Sequence, residues 1–145
     1  KKKNIKYFDF AIDSNNGFKN FYYRNPASHS SLLSEHHDKE YNNLIHVDKV
    51  KTVKLENLIN DLQIEKIKLL KIDVEGLDYE ILHSIKDLIL KNKIEFIKIE
   101  ATSESFSKIV KLSTEINLKF LGISKSFYYK NKFQFMDIYF QNTNK

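Results

Sequence analysis

The clearest pattern in the chain lies at residues 67–76, where an apolar run ends in alternating charged positions. The charged residues are Lys71, Asp73 and Glu75. In an extended strand these side chains share one face, and the apolar residues between them share the other. A glycine follows, and residues 78–90 then carry apolar side chains at helical spacing. The pattern predicts a strand, a tight turn and a helix, with charges at the strand's carboxyl end, where open α/β sheets bind ligands.

The same criteria predict elements along the rest of the chain. Strands are expected at residues 5–12, 18–24, 50–55, 94–99, 120–124 and 133–140, and short helices at 56–62 and after Ser103 or Ser105. The last helix is predicted to bury Phe106, Ile109, Val110 and Ile116. The first two strands form a predicted hairpin. The last two pair as an antiparallel hairpin because their connection is too short for a crossover helix. Strand–helix alternation between them favours a mostly parallel sheet.

Residues 25–47 form a long polar segment, and a loop of this length in a compact domain is usually functional or mobile. The segment holds four of the five histidines, His29, His36, His37 and His46. No two histidines stand four residues apart, which is the spacing of paired metal ligands on a helix. The sequence predicts a solvated loop here, with a metal site as the alternative, and no metal ligand is assigned.

Composition narrows the class of protein. A chain of 145 residues suffices for one domain with one core, and a single domain over 1–145 is predicted. The absence of cysteine excludes disulfides and cysteine-based metal sites and is typical of a reducing compartment. The longest apolar runs fall well short of the ~20 residues of a membrane span. We therefore expect a cytoplasmic protein without a membrane partner.

The net charge is +5, and Arg24 is the only arginine in the chain. The lysines are spread along the whole sequence, whereas phosphate and base recognition usually favours the bidentate fork of arginine. Nucleic-acid binding is therefore a minor alternative, and no nucleic-acid partner is expected.

Several motifs resemble those of the FkbM-type methyltransferases. The main motif is Leu69-Leu70-Lys71-Ile72-Asp73-Val74-Glu75-Gly76, followed by Asp78 or Glu80 and then Ile81-Leu82. Residues 50–59 are similar to the threonine, leucine and acidic residue that precede a short helix in the family. Residues 10–13, followed by Gly17 and an aromatic strand, resemble the family's middle portion. The resemblance covers most of the chain.

This resemblance implies an α/β fold with a Rossmann-like class I methyltransferase sheet that ends in an antiparallel hairpin. The hairpin predicted for the last two strands agrees with that ending. The resemblance also implies S-adenosylmethionine as cofactor and methyl transfer to a hydroxyl oxygen, often on a sugar or polyketide-like metabolite. The expected partner is thus a small-molecule or glycan hydroxyl acceptor.

In the family fold, a glycine-rich loop after the first strand holds the methionine end of the cofactor. This chain has three glycines, Gly17, Gly76 and Gly122, and no such loop. We predict that it corresponds to the carboxyl-terminal part of the fold, without the first two strands. The alternative is a non-catalytic α/β remnant or interaction module that cannot bind the cofactor by itself. A half-sheet would expose an unpaired edge at residues 5–12, which favours self-association.

The resemblance and the strand geometry together suggest roles for the acidic residues. Asp73, at the end of the central strand, is the predicted acceptor-orienting group or base, and Glu75 is expected to share that role. Two neighbouring carboxylates raise each other's pKa, whereas a lysine beside them lowers it. Lys71 either belongs to the catalytic group or forms a structural ion pair with Asp73 or Glu100. Glu100, which ends the next strand, is expected to contact the acceptor.

Three further residues receive weaker assignments. Ala11 and Asp13, at the end of the first predicted strand, are expected to border an adenine pocket of the cofactor. Asp78 falls in the first turn of a predicted helix, where an acidic side chain stabilises the helix dipole, and it is not assigned to catalysis.

Overall fold

A computed structural model describes residues 4–34, 43–129 and 132–144 of the chain. Two of the loop histidines, His36 and His37, lie outside the described residues. The strands are β1 (Ala11–Ile12), β2 (Gly17–Arg24), β3 (Leu44–Val53), β4 (Ile67–Ile72), β5 (Ile94–Thr102), β6 (Leu118–Tyr129) and β7 (Lys132–Asn142). The helices are α1 (Leu55–Asp61), α2 (Asp78–Ser84), α3 (Lys86–Leu90) and α4 (Phe106–Glu115), and a 3-10 turn lies at Ala27–His29. Among the described residues, no helix is both long and apolar enough to cross a bilayer.

The strands form two sheets with mixed strand directions. The first has the order β1-β3-β2, in which β1 runs parallel and β2 antiparallel to β3. The second has the order β4-β5-β7-β6, in which β4 and β5 are parallel and β7 is antiparallel to both of its neighbours. The antiparallel hairpin predicted for the last two strands is confirmed. Only two of the five pairings between described strands are parallel, so the expected mostly parallel sheet is not confirmed.

The hairpin predicted for the first two strands is wrong. β1 is limited to two residues, and β2 pairs along its length with β3, from Gly17 opposite Thr52 to Arg24 opposite Leu44. β1 pairs in parallel with β3. The Asp13 amide extends this β1–β3 pairing by donating to the Val53 carbonyl at 3.1 Å. The first half of β3 was predicted to be loop. Its side chains are exposed, so this part of the strand needs no apolar side, and the prediction relied on a periodic pattern of apolar residues.

The hydrophobic core lies between α2, α3 and α4 and one face of the β4-β5-β7-β6 sheet. Its strand residues include Ile72, Ile97, Ile99, Ile138 and Phe140, and its helix residues include Ile81, Leu82, Ile85, Leu88, Ile89, Ile109, Leu112 and Ile116. The helix predicted over 78–90 is divided at Ile85, whose amide donates to the Leu82 carbonyl three residues earlier, and this tighter turn keeps both halves against the sheet. Phe106 and Val110 are exposed, contrary to prediction, because the buried stripe of α4 follows Ile109 and Leu112.

The opposite face of this sheet, here called the polar face, carries the alternate side chains of the same strands. They are Lys71, Lys98, Glu100, Asp137 and Tyr139. At the strand edge Leu69 is 54% exposed on this face. The sheet therefore has one face that builds the core and one face whose polar groups lie beside the carboxyl ends of β4 and β5.

Candidate active site

β4 ends at Ile72, and the chain then turns sharply into α2. Glu75 and Gly76 have φ angles of 51° and 101°, so the strand does not continue to Glu75 as the alternation predicted. A Cβ atom at Gly76 would lie 2.8 Å from Leu33 Cδ1 in the preceding loop. Glycine thus satisfies both the left-handed backbone and the close approach of that loop. The turn, rather than the strand pleat, brings Glu75 to the same place as Asp73.

Asp78 holds this turn in place from the first residue of α2. Its side chain is 2% exposed and accepts hydrogen bonds from the amides of Val74 and Gly76, both at 3.2 Å. Burial raises the pKa of Asp78 to about 6, although these backbone hydrogen bonds act in the opposite direction. Asp78 therefore fixes the backbone around Glu75, a more specific structural role than stabilising a helix dipole.

Three carboxylates converge at the carboxyl ends of β4 and β5. One oxygen each from Asp73, Glu75 and Glu100 lies within 4.8 Å of the other two. The parallel register sets Ile72 opposite Ile99, so the residues that follow them, Asp73 and Glu100, emerge at the same edge. The structure thus brings together the three acidic residues that the sequence singled out.

The environment of this cluster raises the pKa of two of its carboxyl groups to near neutrality. Burial raises the pKa of Glu75 from 4.5 to about 7, and the negative charges of Asp73 and Asp78 add to the effect while Lys71 opposes it. Burial likewise raises the pKa of Glu100 to about 7, followed by repulsion from Asp73, Glu75, Asp78 and Asp137. Two carboxyl groups with a pKa near neutrality, side by side, are suited to accepting a proton from a bound hydroxyl.

Two lysines on the polar face are already paired. The Lys71 ammonium contacts the Asp73 carboxylate, which is one of the two ion pairs expected for it. The Lys98 ammonium lies 2.8 Å from the Asp137 carboxylate, and this hydrogen bond raises the pKa of Lys98. Asp137 stands directly opposite Glu100 in the β5–β7 register and was missed by the sequence analysis. The sequence holds one sign of its role, because Asp137 is the only charged residue in the apolar run 135–140.

A cavity of about 200 Å³ adjoins the carboxylate cluster. Its wall combines the end of β1, the loop before β3 and the β4–α2 turn, and the lining residues are Ala11, Ile12, Phe21, Ser30, Ser31, Leu32, Asp73, Val74, Glu75 and Leu77. Ala11, one of the two residues expected to border the cofactor, therefore shares a cavity with the acidic cluster. Asp13, the other, does not line this cavity. It is buried, and its carboxylate lies 2.6 Å from the Lys19 ammonium.

Arg24 fixes the loop that forms one wall of this cavity. Its guanidinium is buried and donates to four backbone carbonyls, those of Tyr22, His29, Leu33 and Ser34, at 3.3, 3.3, 2.7 and 2.9 Å. The loop is also joined to β2 by reciprocal backbone hydrogen bonds between Tyr22 and Ser31. No role was predicted for Arg24, although it is the only arginine in the sequence and stands just before a polar loop.

The donor atoms limit what the site can hold. Carboxylate oxygens suit hard divalent cations as well as organic cations, and acidic groups also cluster without any ion. Within residues 4–34, 43–129 and 132–144, Asp73, Glu75 and Glu100 are the only group of histidine and acidic side chains close enough to share a metal ion. His46 instead stacks on Tyr23, with ring centroids 4.2 Å apart, and lies 3.4 Å from Asp48.

Comparison with known proteins identifies the family. The family model described as the methyltransferase FkbM domain matches residues 2–142, which include both sheets and the whole carboxylate cluster. No curated protein and no solved structure matches the chain. The mixed α/β architecture is compatible with a methyltransferase fold. The resemblance noted in the sequence is thereby confirmed, and the chain belongs to the methyltransferase FkbM domain family.

Proposed function

We propose that this methyltransferase domain serves S-adenosylmethionine-dependent O-methylation of a hydroxyl group on a sugar or another small metabolite. The observation that carries the proposal is the pair Glu75 and Glu100, each with a pKa of about 7, beside Asp73 at the carboxyl ends of two parallel strands. A base with a pKa near the working pH combines a useful ionised fraction with a sufficient affinity for the proton.

The lining of the cavity suits part of the cofactor. The wall formed by Ala11, Ile12 and Leu77 is apolar, as the edge of an adenine site requires, and the adjoining carboxylates favour a positively charged sulfonium group. The volume of about 200 Å³ is smaller than the roughly 300–1,000 Å³ of a complete small-molecule site. These residues would therefore hold a portion of S-adenosylmethionine, with Ala11 toward the adenine.

The chain's own residues would orient the acceptor and remove its proton. When bound, S-adenosylmethionine would supply the methyl group to the acceptor oxygen and leave as a neutral thioether, which keeps the electron pair of the sulfur–carbon bond. Asp73, held by Lys71, accepts a hydrogen bond from the acceptor hydroxyl and orients it. Glu100 or Glu75 takes the hydroxyl proton. Orientation of this kind contributes several kcal/mol, on the order of 7–11 in the best intramolecular cases.

The finer assignment of the fold is part of the same proposal. We infer that the β4-β5-β7-β6 sheet is the carboxyl-terminal half of a Rossmann-like class I methyltransferase sheet. Its parallel pair and its final antiparallel hairpin support this inference.

The decisive experiment measures transfer of an isotopically labelled methyl group from S-adenosylmethionine to a panel of sugars and hydroxylated metabolites. We expect Asp73→Asn and Glu100→Gln to lower turnover by roughly 10²–10⁴-fold, since each removes a group that positions or accepts the proton. Asp87→Asn in α3 and Glu65→Gln before β4 are matched controls on exposed sites away from the cluster. Turnover of both cluster variants within a few-fold of the parent would contradict the proposed roles.

A non-catalytic interaction module is the second candidate. It is favoured by the small cavity and by a sequence without a glycine-rich loop. Calorimetric titration of the folded chain with S-adenosylhomocysteine separates the two candidates, because a chain that serves the reaction binds this product. Absence of binding by a chain with native circular dichroism would favour the module.

A further inference from the structure

The same three-residue pattern of lysine, isoleucine and acid occurs on two neighbouring strands of the second sheet. β4 leads through Lys71 and Ile72 into Asp73, and β5 carries Lys98-Ile99-Glu100. The parallel register sets Lys71 opposite Lys98, so the two patterns lie side by side. Each strand thus places a lysine on the polar face, two residues before a carboxylate of the cluster.

The two lysines nevertheless have different partners. Lys71 forms an ion pair with the acid that follows it, Asp73. Lys98 instead reaches across to β7, where its ammonium lies 2.8 Å from the Asp137 carboxylate. In the described part of the chain, no basic side chain forms an ion pair with Glu100. Glu100 therefore lacks the lysine partner that the same pattern provides for Asp73.

Two side chains of β7 hold Lys98 in this position. Tyr139 stands directly opposite Lys98 in the register, and its ring centroid lies 5.7 Å from the ammonium, within the range of a cation–π contact. Asp137 stands opposite Glu100, one strand repeat further along. The side chains of Lys98 and Asp137 are only 21% and 12% exposed, whereas that of Lys71 is 53% exposed. The pair on β7 is thus the more sheltered of the two.

The choice of partner decides what Glu100 can do. Lys98 and Glu100 are about 7 Å apart along the strand, and Lys71 shows that a lysine at this spacing can reach the acid that follows it. An ion pair with Lys98 would stabilise the ionised form of Glu100 and lower its pKa. In the observed arrangement, burial and the surrounding carboxylates raise the pKa of Glu100 to about 7 instead.

We propose that Asp137 is a positioning residue that holds the Lys98 ammonium against β7 and so keeps it from pairing with Glu100, which leaves Glu100 free to accept a proton. This role rests on the proposed function, because it explains how the proton acceptor of that site is maintained. It also assigns different tasks to the two patterns: the carboxylate on β4 is held by its lysine, and the carboxylate on β5 is kept away from its own.

The charged groups around Glu100 come from four strands and one helix, and Asp137 acts on Glu100 in two ways. Its negative charge repels that of Glu100 directly, and it also holds Lys98. Removal of Asp137 therefore has two effects that a test must separate. The neighbouring charged residues are the acidic Asp73, Glu75, Asp78 and Asp137, the basic Lys71 and Lys98, and Lys125, which stands opposite Asp137 in the β6–β7 register.

The test is a titration of the Glu100 carboxyl group by carbon NMR on the full chain with isotope-labelled glutamate and without cofactor. Loss of one signal in Glu100→Gln identifies it. We expect a midpoint of about 7 in the parent chain. In Asp137→Asn the midpoint should fall by about one pH unit or more, a roughly tenfold lower affinity for the proton. In Asp137→Asn/Lys98→Met it should return at least halfway to the parent value, because the released cation is absent.

Two matched controls accompany these variants. Asp137→Asn/Lys125→Met removes a different lysine near the same position and should keep the low midpoint. Glu95→Gln removes another carboxylate that pairs with a lysine, since Glu95 on β5 lies 3.5 Å from the Lys68 ammonium, and it should keep the parent midpoint. Circular dichroism and thermal unfolding verify that each variant is folded.

Two results would overturn the role of Asp137. One is an unchanged Glu100 midpoint in folded Asp137→Asn. The other is a midpoint in Asp137→Asn/Lys98→Met as low as in Asp137→Asn, since the loss of direct repulsion would then explain the whole effect. A measurement on the parent chain covers the case in which Asp137→Asn does not fold. The Lys98 ammonium signal in nitrogen NMR should stay constant while Glu100 titrates, and a change with the Glu100 midpoint would contradict the proposal.

Failure of the proposed function is distinguishable, because the titration uses neither cofactor nor acceptor. The expected midpoints without any methyl transfer would support the role of Asp137 and contradict the reaction. If transfer occurs, the fall of kcat/KM at acidic pH should move to lower pH in Asp137→Asn and return when Lys98 is also replaced. Transfer combined with an unchanged Glu100 midpoint in Asp137→Asn would support the reaction and overturn the role of Asp137.

Discussion

Four other carboxylates, together with burial, raise the pKa of Glu100, so its protonation can be followed by pH titration. They are those of Asp73, Glu75, Asp78 and Asp137. If Glu100 and Glu75 accept the hydroxyl proton, they must be ionised at the start of the reaction. We therefore expect kcat/KM to fall as the pH drops below about 7, with apparent pKa values that belong to the coupled pair rather than to one residue. A pH–rate profile tests this, and a profile that stays flat from about pH 8 down to 5 would contradict it.

Asp78 offers a test of the turn that is independent of catalysis. Asp78→Ala removes the acceptor of the Val74 and Gly76 amides, which then lie unpaired in a half-buried turn. We expect it to lower the free energy of unfolding by about 1–3 kcal/mol. Asp78→Asn keeps an acceptor oxygen and should lose less. Urea denaturation measures the free energy of unfolding of both variants. Equal losses would show that the two hydrogen bonds do not account for the effect of Asp78.

The residues of the site differ in how far the sequence could predict them. Asp73 is predictable because it follows an apolar run, and Glu100 because it ends the neighbouring parallel strand. Glu75 was predicted from a strand spacing that the structure does not keep, since a left-handed turn brings it beside Asp73. Asp137 and Arg24 act through contacts that only the folded chain defines. Asp137 meets Glu100 through the register of a hairpin that starts 18 residues later. Arg24 acts on backbone carbonyls, which no side-chain pattern announces.

At the scale of elements, the loop before β3 and the β4–α2 turn form one unit around Gly76. Gly76→Ala would place a methyl group 2.8 Å from Leu33 Cδ1 in a left-handed backbone conformation. We expect a loss of stability that Leu33→Ala partly reverses, since the second change removes the colliding atom but not the backbone strain. A double-mutant cycle in urea measures this coupling, which should amount to roughly 0.5–3 kcal/mol. Strictly additive losses would mean that the loop does not rest on the turn.

The elements themselves were predicted best where burial is periodic. α1, β4, β5 and β7 fall close to their predicted positions because one face of each is apolar. β6 was predicted over 120–124 and is longer at both ends, from Leu118 to Tyr129. The first half of β3 was not predicted as a strand. Its apolar residues Leu44 and Ile45 stand side by side and are both exposed, so apolar and polar positions do not alternate there. The pairing of β2 with β3 instead of β1 depends on the direction in which the chain leaves Ile12, and local sequence does not encode that direction.

At the scale of the molecule, each sheet has an outer strand at its parallel side. β1 and β4 are the outer strands of their sheets in the described part of the chain, and the N-terminal edge was expected to favour self-association. We predict concentration-dependent association that Leu69→Lys weakens, since Leu69 is largely exposed on β4. Sedimentation velocity at rising protein concentration provides the measurement. A monomer over the whole range, for the parent and the variant alike, would contradict the prediction.

The acidic cluster also affects the stability of the whole chain. Glu75 and Glu100 bind protons more tightly in the folded state than at their ordinary pKa of 4.5, so the folded chain holds more protons between about pH 4.5 and 7. The free energy of unfolding therefore decreases as the pH rises through this window and levels off above it. Glu100→Gln should raise stability at about pH 8 and change it little at pH 4, where the carboxyl is already neutral. Chemical denaturation at both pH values, with Glu65→Gln as control, tests the sign.

The buried position of Arg24 has a consequence for the chemistry of the surface. Because the only guanidinium in the chain is enclosed by backbone carbonyls, the permanent positive charge that the exterior presents comes from lysine side chains. Lysine charge can be erased by acetylation, whereas arginine charge cannot. An acylating reagent can therefore change the net surface charge from positive to negative. The buried Arg24 guanidinium keeps its charge and its hydrogen bonds to the loop that forms one wall of the cavity.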